Sequence, residues 1–161
     1  MTQHQVLING QWRDSLGNKT FQAVNPATRA TVEGTYPVSP WPEIAEALDA
    51  AHAATVAMRG WSGKRFARFL DAYADAIESR ADEIVAMANL ETALPVEPRL
   101  KNGEMPRTVN QLRQAAEAAR DGAWAMATID TQTNIRSILG PIGPVAVFGP
   151  NNFPLAFNSI A

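Results

Sequence analysis

The chain has 161 residues, 46% hydrophobic and 19% charged, which suits one globular unit or part of a larger one. A formal net charge of -2 leaves no basic field for nucleic acid or an anionic membrane, and no apolar run reaches bilayer length. Cysteine is absent, so the sequence itself holds no disulfide, no thiolate metal site and no cysteine nucleophile.

The opening Met1-Thr2-Gln3-His4-Gln5 has neither a basic nor an apolar leader segment, and the expected compartment is the cytoplasm. Gln5-Val6-Leu7-Ile8 and Gln11-Trp12-Arg13 flank Asn9-Gly10, a pair suited to the positive φ angles of a type I′ turn. A β-hairpin is therefore predicted. Asn25-Pro26-Ala27-Thr28 is a second turn, because the residue before proline is pushed out of the helical region. Helices follow. Ser39 is placed to cap a helix whose first position is Pro40, with Ile44, Leu48, Ala51, Thr55 and Met58 as its apolar stripe. Gly60-Trp61 ends it, and Ser62 caps a second helix with Phe66, Phe69, Leu70, Tyr73 and Ile77 on one face. Ser79-Arg80-Ala81-Asp82 resembles a capping box opening a third helix through Ile84, Val85 and Ala88, stopped by Pro95 and Pro98. A fourth helix is predicted from about residue 99 to 121, with Gly103 and Pro106 weakening its first half and Gly122 as its stop.

Beyond residue 127 the pattern changes. Residues 128–139 are rich in threonine and isoleucine and predict one strand or two. The turn cluster Gly140-Pro141-Ile142-Gly143-Pro144 leads into Val145-Ala146-Val147-Phe148, wholly apolar like a strand buried on both faces of a parallel sheet. Gly149-Pro150-Asn151-Asn152 closes that strand, and Phe153-Pro154-Leu155-Ala156-Phe157 is expected to begin a helix. Strand, turn and helix start make the first third of a β-α-β unit, so the predicted sheet is unfinished.

The turn between that strand and helix is the one candidate site. Ligands of open α/β sheets bind beyond the carboxyl ends of strands, where helix N-termini offer unpaired amides. Asn152 sits there with two side-chain donors that could steady an oxyanion, although capping the following helix is its commoner use. Gly140, Gly143 and Gly149 do not form G-x-G-x-x-G, and they read as a tight turn into a buried strand. His4 and His52 stand far apart, so no metal site is expected. Asp82, Glu83 and Glu91 read as solvated helix carboxylates, and Trp41, Trp61 and Trp124 as packing near helix ends. Arg99, Arg107 and Arg113 either form a solvated helix face or hold an acidic substrate or partner.

Taken in order, these pieces resemble the aldehyde dehydrogenase superfamily over nearly the whole chain. Leu7-Ile8-Asn9-Gly10-Gln11-Trp12 resembles the family's opening hairpin, and Asn25-Pro26-Ala27-Thr28 its asparagine-proline turn. Glu91-Thr92 with Pro95 resembles its E-T-G-x-P segment, although Ala93 stands where the family has glycine. The most specific piece is the apolar strand followed by Asn152-Phe153-Pro154-Leu155, which resembles the N-F-P-L signature. Within the superfamily, V-A-V-F-G-P-N-N-F-P-L-A-F at residues 145–157 is most similar to the branch that oxidises α-ketoglutarate semialdehyde (2,5-dioxopentanoate) and fatty aldehydes, often with NADP.

The resemblance implies an α/β fold: part of a Rossmann-type nucleotide-binding domain with a helical front and a β oligomerisation arm. It divides the chain into a hairpin and helical part at 1–126, arm strands at 127–140, and the first strand and helix start of an incomplete dinucleotide-binding sheet at 141–161. It implies that Asn152 donates its side-chain amide to the substrate oxyanion, that Phe148, Gly149, Pro150 and Asn151 run beside NAD(P), with NADP favoured, and that Phe153 and Phe157 face the aldehyde channel. A cysteine thiolate would attack a small aldehyde to give a thiohemiacetal, hydride would pass to the nicotinamide, and a glutamate-activated water would release the acid. That cysteine, that glutamate and the pyrophosphate loop are expected beyond Ala161, so the chain is expected to be inactive alone and homo-oligomeric within an intact enzyme. The alternative expectation is a non-catalytic interaction module that pairs through its arm.

Overall fold

The computed structural model describes residues 2–157. The predicted hairpin is present as β1 (Val6–Ile8) and β2 (Gln11–Arg13), antiparallel with Val6 opposite Arg13. Asn9 and Gly10 take φ values of 51° and 75°, the left-handed pair that a type I′ turn needs. A second small antiparallel pair joins β3 (Thr20–Phe21) to β4 (Tyr36–Pro37). Between them Asn25 Oδ1 accepts the amides of Ala27 at 2.9 Å and Thr28 at 3.1 Å, so the turn closes through an asparagine side chain.

Helix α1 (Trp41–Met58) begins one residue later than Ser39 would set it, because extended Pro40 occupies the cap. Its apolar stripe is only partly covered, with Ile44 and Leu48 exposed. What anchors the helix is a buried carboxylate. Glu43 accepts the Ser15 hydroxyl at 2.6 Å and the Leu16 amide at 3.0 Å, and these donors, the Ser15 hydroxyl foremost, hold its carboxyl below the usual range.

The centre of the fold is α2 (Gly63–Ser79) packed on α4 (Met105–Asp121). Ala67, Ala74 and Ala116 are fully buried, small enough to let the two backbones approach. Ile77, Val85, Leu100, Met105, Val109 and Leu112 complete the core. This shifts the buried face of α2 from the predicted aromatic stripe to 67, 70, 74 and 77, leaving Phe69 and Tyr73 on the outer side. Arg113 reaches across to Asp75 (2.9 Å) and Glu78 (2.8 Å), and Arg120 to Asp71 (2.6 Å). Arg113 is thereby a helix–helix tie.

Helix α3 (Ala81–Thr92) lacks the predicted capping box: the Ser79 hydroxyl donates back to the Ala76 carbonyl, and Arg80 pairs with Glu83 instead. The helix ends on Ala93 at φ 57° and ψ 14°, so alanine accepts the left-handed conformation that favours glycine. A π-type turn, Val96–Glu104, with a cis Glu97–Pro98 peptide, replaces the first part of the predicted fourth helix. Helix α4 therefore starts at Met105, with Pro106 in its first turn, and stops at Gly122 with φ 78°.

After Gly122 the threonine- and isoleucine-rich segment forms two strands, β5 (Thr128–Asp130) and β6 (Ile135–Ser137). Asp130 closes their turn by accepting the amides of Gln132 and Thr133 and the Thr133 hydroxyl. The hairpin is exposed throughout. The strand expected at residues 145–148 is not formed: the segment carries no strand assignment, and Phe148 is 94% exposed. No strand among the described residues lies alongside to take its ladder bonds. The helix start expected at Phe153 is likewise a succession of turns up to Phe157.

Candidate functional site

The turns at residues 150–157 lack the hydrogen bonds of a regular element, yet they dock against the helical layer. Leu155 and Ala156 are buried, Phe153 is half-buried and Asn152 is exposed. Three backbone groups of this stretch are held by two side chains from the π-type turn. Glu104, 1% exposed, accepts the amides of Leu155 at 3.1 Å and Ala156 at 3.3 Å on Oε2. Arg99 donates from Nη2 to the carbonyl of Asn152 at 2.7 Å. The same Nη2 lies 3.1 Å from Glu104 Oε1, close enough for an ion pair. Oε1 has no hydrogen-bond partner among the described residues, so charge alone compensates it.

Ring contacts extend the grip. The Arg99 guanidinium lies 4.2 Å from the centroid of Phe153, and Arg107 lies 5.1 Å from that of Phe157. The two rings meet edge to face at 5.0 Å. Cationic and aromatic groups thus alternate from Arg99 to Arg107, with the Asn152 turn at one end. Next to them a cavity of about 310 Å³ opens between Tyr73, Ile77, Ile84, Met105, Thr108 and Leu155.

The structure brings together Asn152, Phe153, Phe157, Arg99 and Arg107 from the sequence-based candidates, and adds Glu104. Phe148, Gly149, Pro150 and Asn151 run into this turn and are all exposed. They fit contact with a cofactor through ring surface and backbone: Gly149 and Pro150 bring no polar side chain, and the Phe148 ring is uncovered. No group of three His, Cys, Asp or Glu among the described residues is placed to hold a metal ion. Glu104 escaped sequence reasoning because its partners are two backbone amides 51 and 52 residues away, which leave no pattern in a sequence. Arg99 was visible only as part of a solvated helix face or as a holder of an acidic substrate or partner, whereas its anionic neighbour is Glu104.

Comparison with known proteins gives this geometry a context. The model of the aldehyde dehydrogenase family matches residues 12–160. An α-ketoglutaric semialdehyde dehydrogenase of Azospirillum brasilense is 36% identical over 149 residues, covering 86% of this chain and 28% of that protein. The NADP(+) succinate-semialdehyde dehydrogenase 2 of Schizosaccharomyces pombe is 33% identical, over 94% of this chain and 31% of its own length. Among solved structures, an aldehyde dehydrogenase from Brucella melitensis biovar abortus superposes with a TM-score of 0.84 at 28% identity, covering 96% of this chain and 32% of the other. The chain therefore spans about three tenths of the length of these relatives.

Proposed function

The chain belongs to the aldehyde dehydrogenase family, and on that premise we propose that it supplies the oxyanion-stabilising part of an enzyme that oxidises an aldehyde to its acid with NAD(P). The observation that carries this reading is the position of Asn152: exposed, on a turn whose backbone is fastened by Arg99 and Glu104. A carboxamide on a turn whose backbone is fastened in this way can present N–H donors to an oxygen that gains negative charge when a nucleophile adds to the carbonyl. Phe153 and Phe157 would form the apolar wall along which the aldehyde approaches, and residues 148–151 would hold the cofactor through backbone and ring surface. When bound, NAD(P) would supply the acceptor for the hydride that the substrate carbon gives up. With no cysteine in its sequence, the chain does not provide the thiolate and is inactive by itself.

The similarity to α-ketoglutaric semialdehyde dehydrogenases supports α-ketoglutarate semialdehyde as substrate, and the NADP-linked relative supports NADP as cofactor. The test is an assay of the active enzyme of which this chain is part, with this aldehyde and with succinate semialdehyde, each with both nucleotides. Asn152→Ala is expected to lower kcat by about 100-fold, the loss of about 3 kcal/mol typical of one oxyanion donor. An unchanged kcat would remove Asn152 from the chemistry.

The exposed hairpin β5–β6 favours an additional role in subunit pairing, because it has an open strand edge and leaves Ile129, Ile135 and Ile138 uncovered. Copies of the chain, or of a longer relative, would associate there. Co-purification of differently tagged copies tests it, and monomeric behaviour at micromolar concentration would end it.

A further inference from the structure

We propose that Glu104 and Arg99 are positioning residues for Asn152, fixing the backbone at and beyond it so that its carboxamide points in one direction. They have this role only if Asn152 is the oxyanion donor proposed above. A donor accelerates a reaction to the extent that it is already aimed; a displacement of about 1 Å costs on the order of 100-fold. The turns at residues 150–157 belong to no helix or sheet ladder that could provide such aim. Instead, Arg99 holds the carbonyl of Asn152 itself, and Glu104 holds the amides three and four residues further on. Phe153, one of the two residues between these fastenings, lies under the Arg99 guanidinium.

The charges are essential to the arrangement. A buried carboxylate is costly unless it is paired and hydrogen-bonded. Glu104 meets that condition through the two amides and Arg99, so removing either side chain loosens what the other holds. Both come from the turn Val96–Glu104, which is anchored in the core by Leu100, 0% exposed, and runs straight into buried Met105 at the start of α4. The aim of Asn152 is thus transmitted from the helical core through one ion pair. Neither side chain is asked to touch the reacting atoms.

The experiment measures kcat, nucleotide KM and hydrogen exchange in the active enzyme of which this chain is part. The variants are Asn152→Ala, Arg99→Ala, Arg99→Lys and Glu104→Gln, together with the doubles Arg99→Ala/Asn152→Ala and Glu104→Gln/Asn152→Ala. Arg99→Ala and Glu104→Gln are expected to lower kcat at least about tenfold while nucleotide KM stays within about twofold. Each double is expected to be no slower than Asn152→Ala beyond about twofold, because an asparagine that is gone cannot be mis-aimed. Arg99→Lys keeps the charge beside Glu104 and restores part of the rate, and exchange at residues 150–157 quickens in Arg99→Ala. If losses multiply in the doubles while Asn152→Ala alone is slow, the two residues serve stability only and this proposal falls. If Asn152→Ala is as fast as the parent, the oxyanion assignment falls and takes the positioning role with it. Should Glu104→Gln fold poorly, the Arg99 variants decide, since that side chain is a third exposed.

Discussion

The α2–α4 pair and the stretch from residue 123 to 149 are both rich in apolar side chains, and they dispose of them in opposite ways. In the pair, alanines at 67, 74 and 116 bring the helices together and every core position finds a partner. After Gly122, β5 and β6 satisfy each other's backbone in the plane of the hairpin, while Ile129, Ile135, Ile138 and Val145 remain open to solvent. Backbone order and side-chain burial are separate achievements. The first requires only local turn chemistry, such as the Asp130 side chain closing the hairpin; the second requires another layer.

Denaturant unfolding of single variants can break this contrast. Leu100→Ala empties a fully buried position and is expected to cost about 3 kcal/mol; a loss below 1 kcal/mol would mean that the core is loosely packed. Gly63→Ala comes next. An added Cβ would run into the Ala119 carbonyl, so the helices must part at an expected cost of about 2 kcal/mol. Ala93→Gly should act in the other direction, raising stability by about 1 kcal/mol by relieving a left-handed alanine, and a lowered midpoint would contradict that account. Smallest is Ile138→Ser, 70% exposed on the hairpin side, which should stay within about 0.5 kcal/mol. A larger loss would show that something covers this face in solution.

Where local chemistry decided the structure, the sequence was a sufficient guide. Asn9-Gly10 gave the hairpin, Asn25 its turn and Gly122 the end of α4. Ser62 also marks the position before α2, although its side chain makes no capping bond. Where a distant partner decided, the guide failed. Val145-Ala146-Val147-Phe148 has the composition of a buried strand, and a strand needs a neighbour. The buried face of α2 was set by how close α4 could come, which favoured Ala67 and Ala74 over Phe69 and Tyr73. At the site, Asn152 and its aromatic neighbours could be picked out from their order in the chain. The Glu104 carboxylate could not, since nothing local distinguishes it from a solvated helix acid.

That carboxylate also bears on the order of folding. Its bond to Leu155 closes a loop of 51 residues, and such long closures are entropically late events. Apart from the Phe153 amide on the Pro150 carbonyl, the bonds that fasten the turn carrying Asn152 come from about fifty residues away, so it is expected to take shape after α3, the π-type turn and α4 have docked. The candidate site is therefore expected to depend on a finished scaffold, and reopening of the Val96–Glu104 turn would release the two side chains that fasten it.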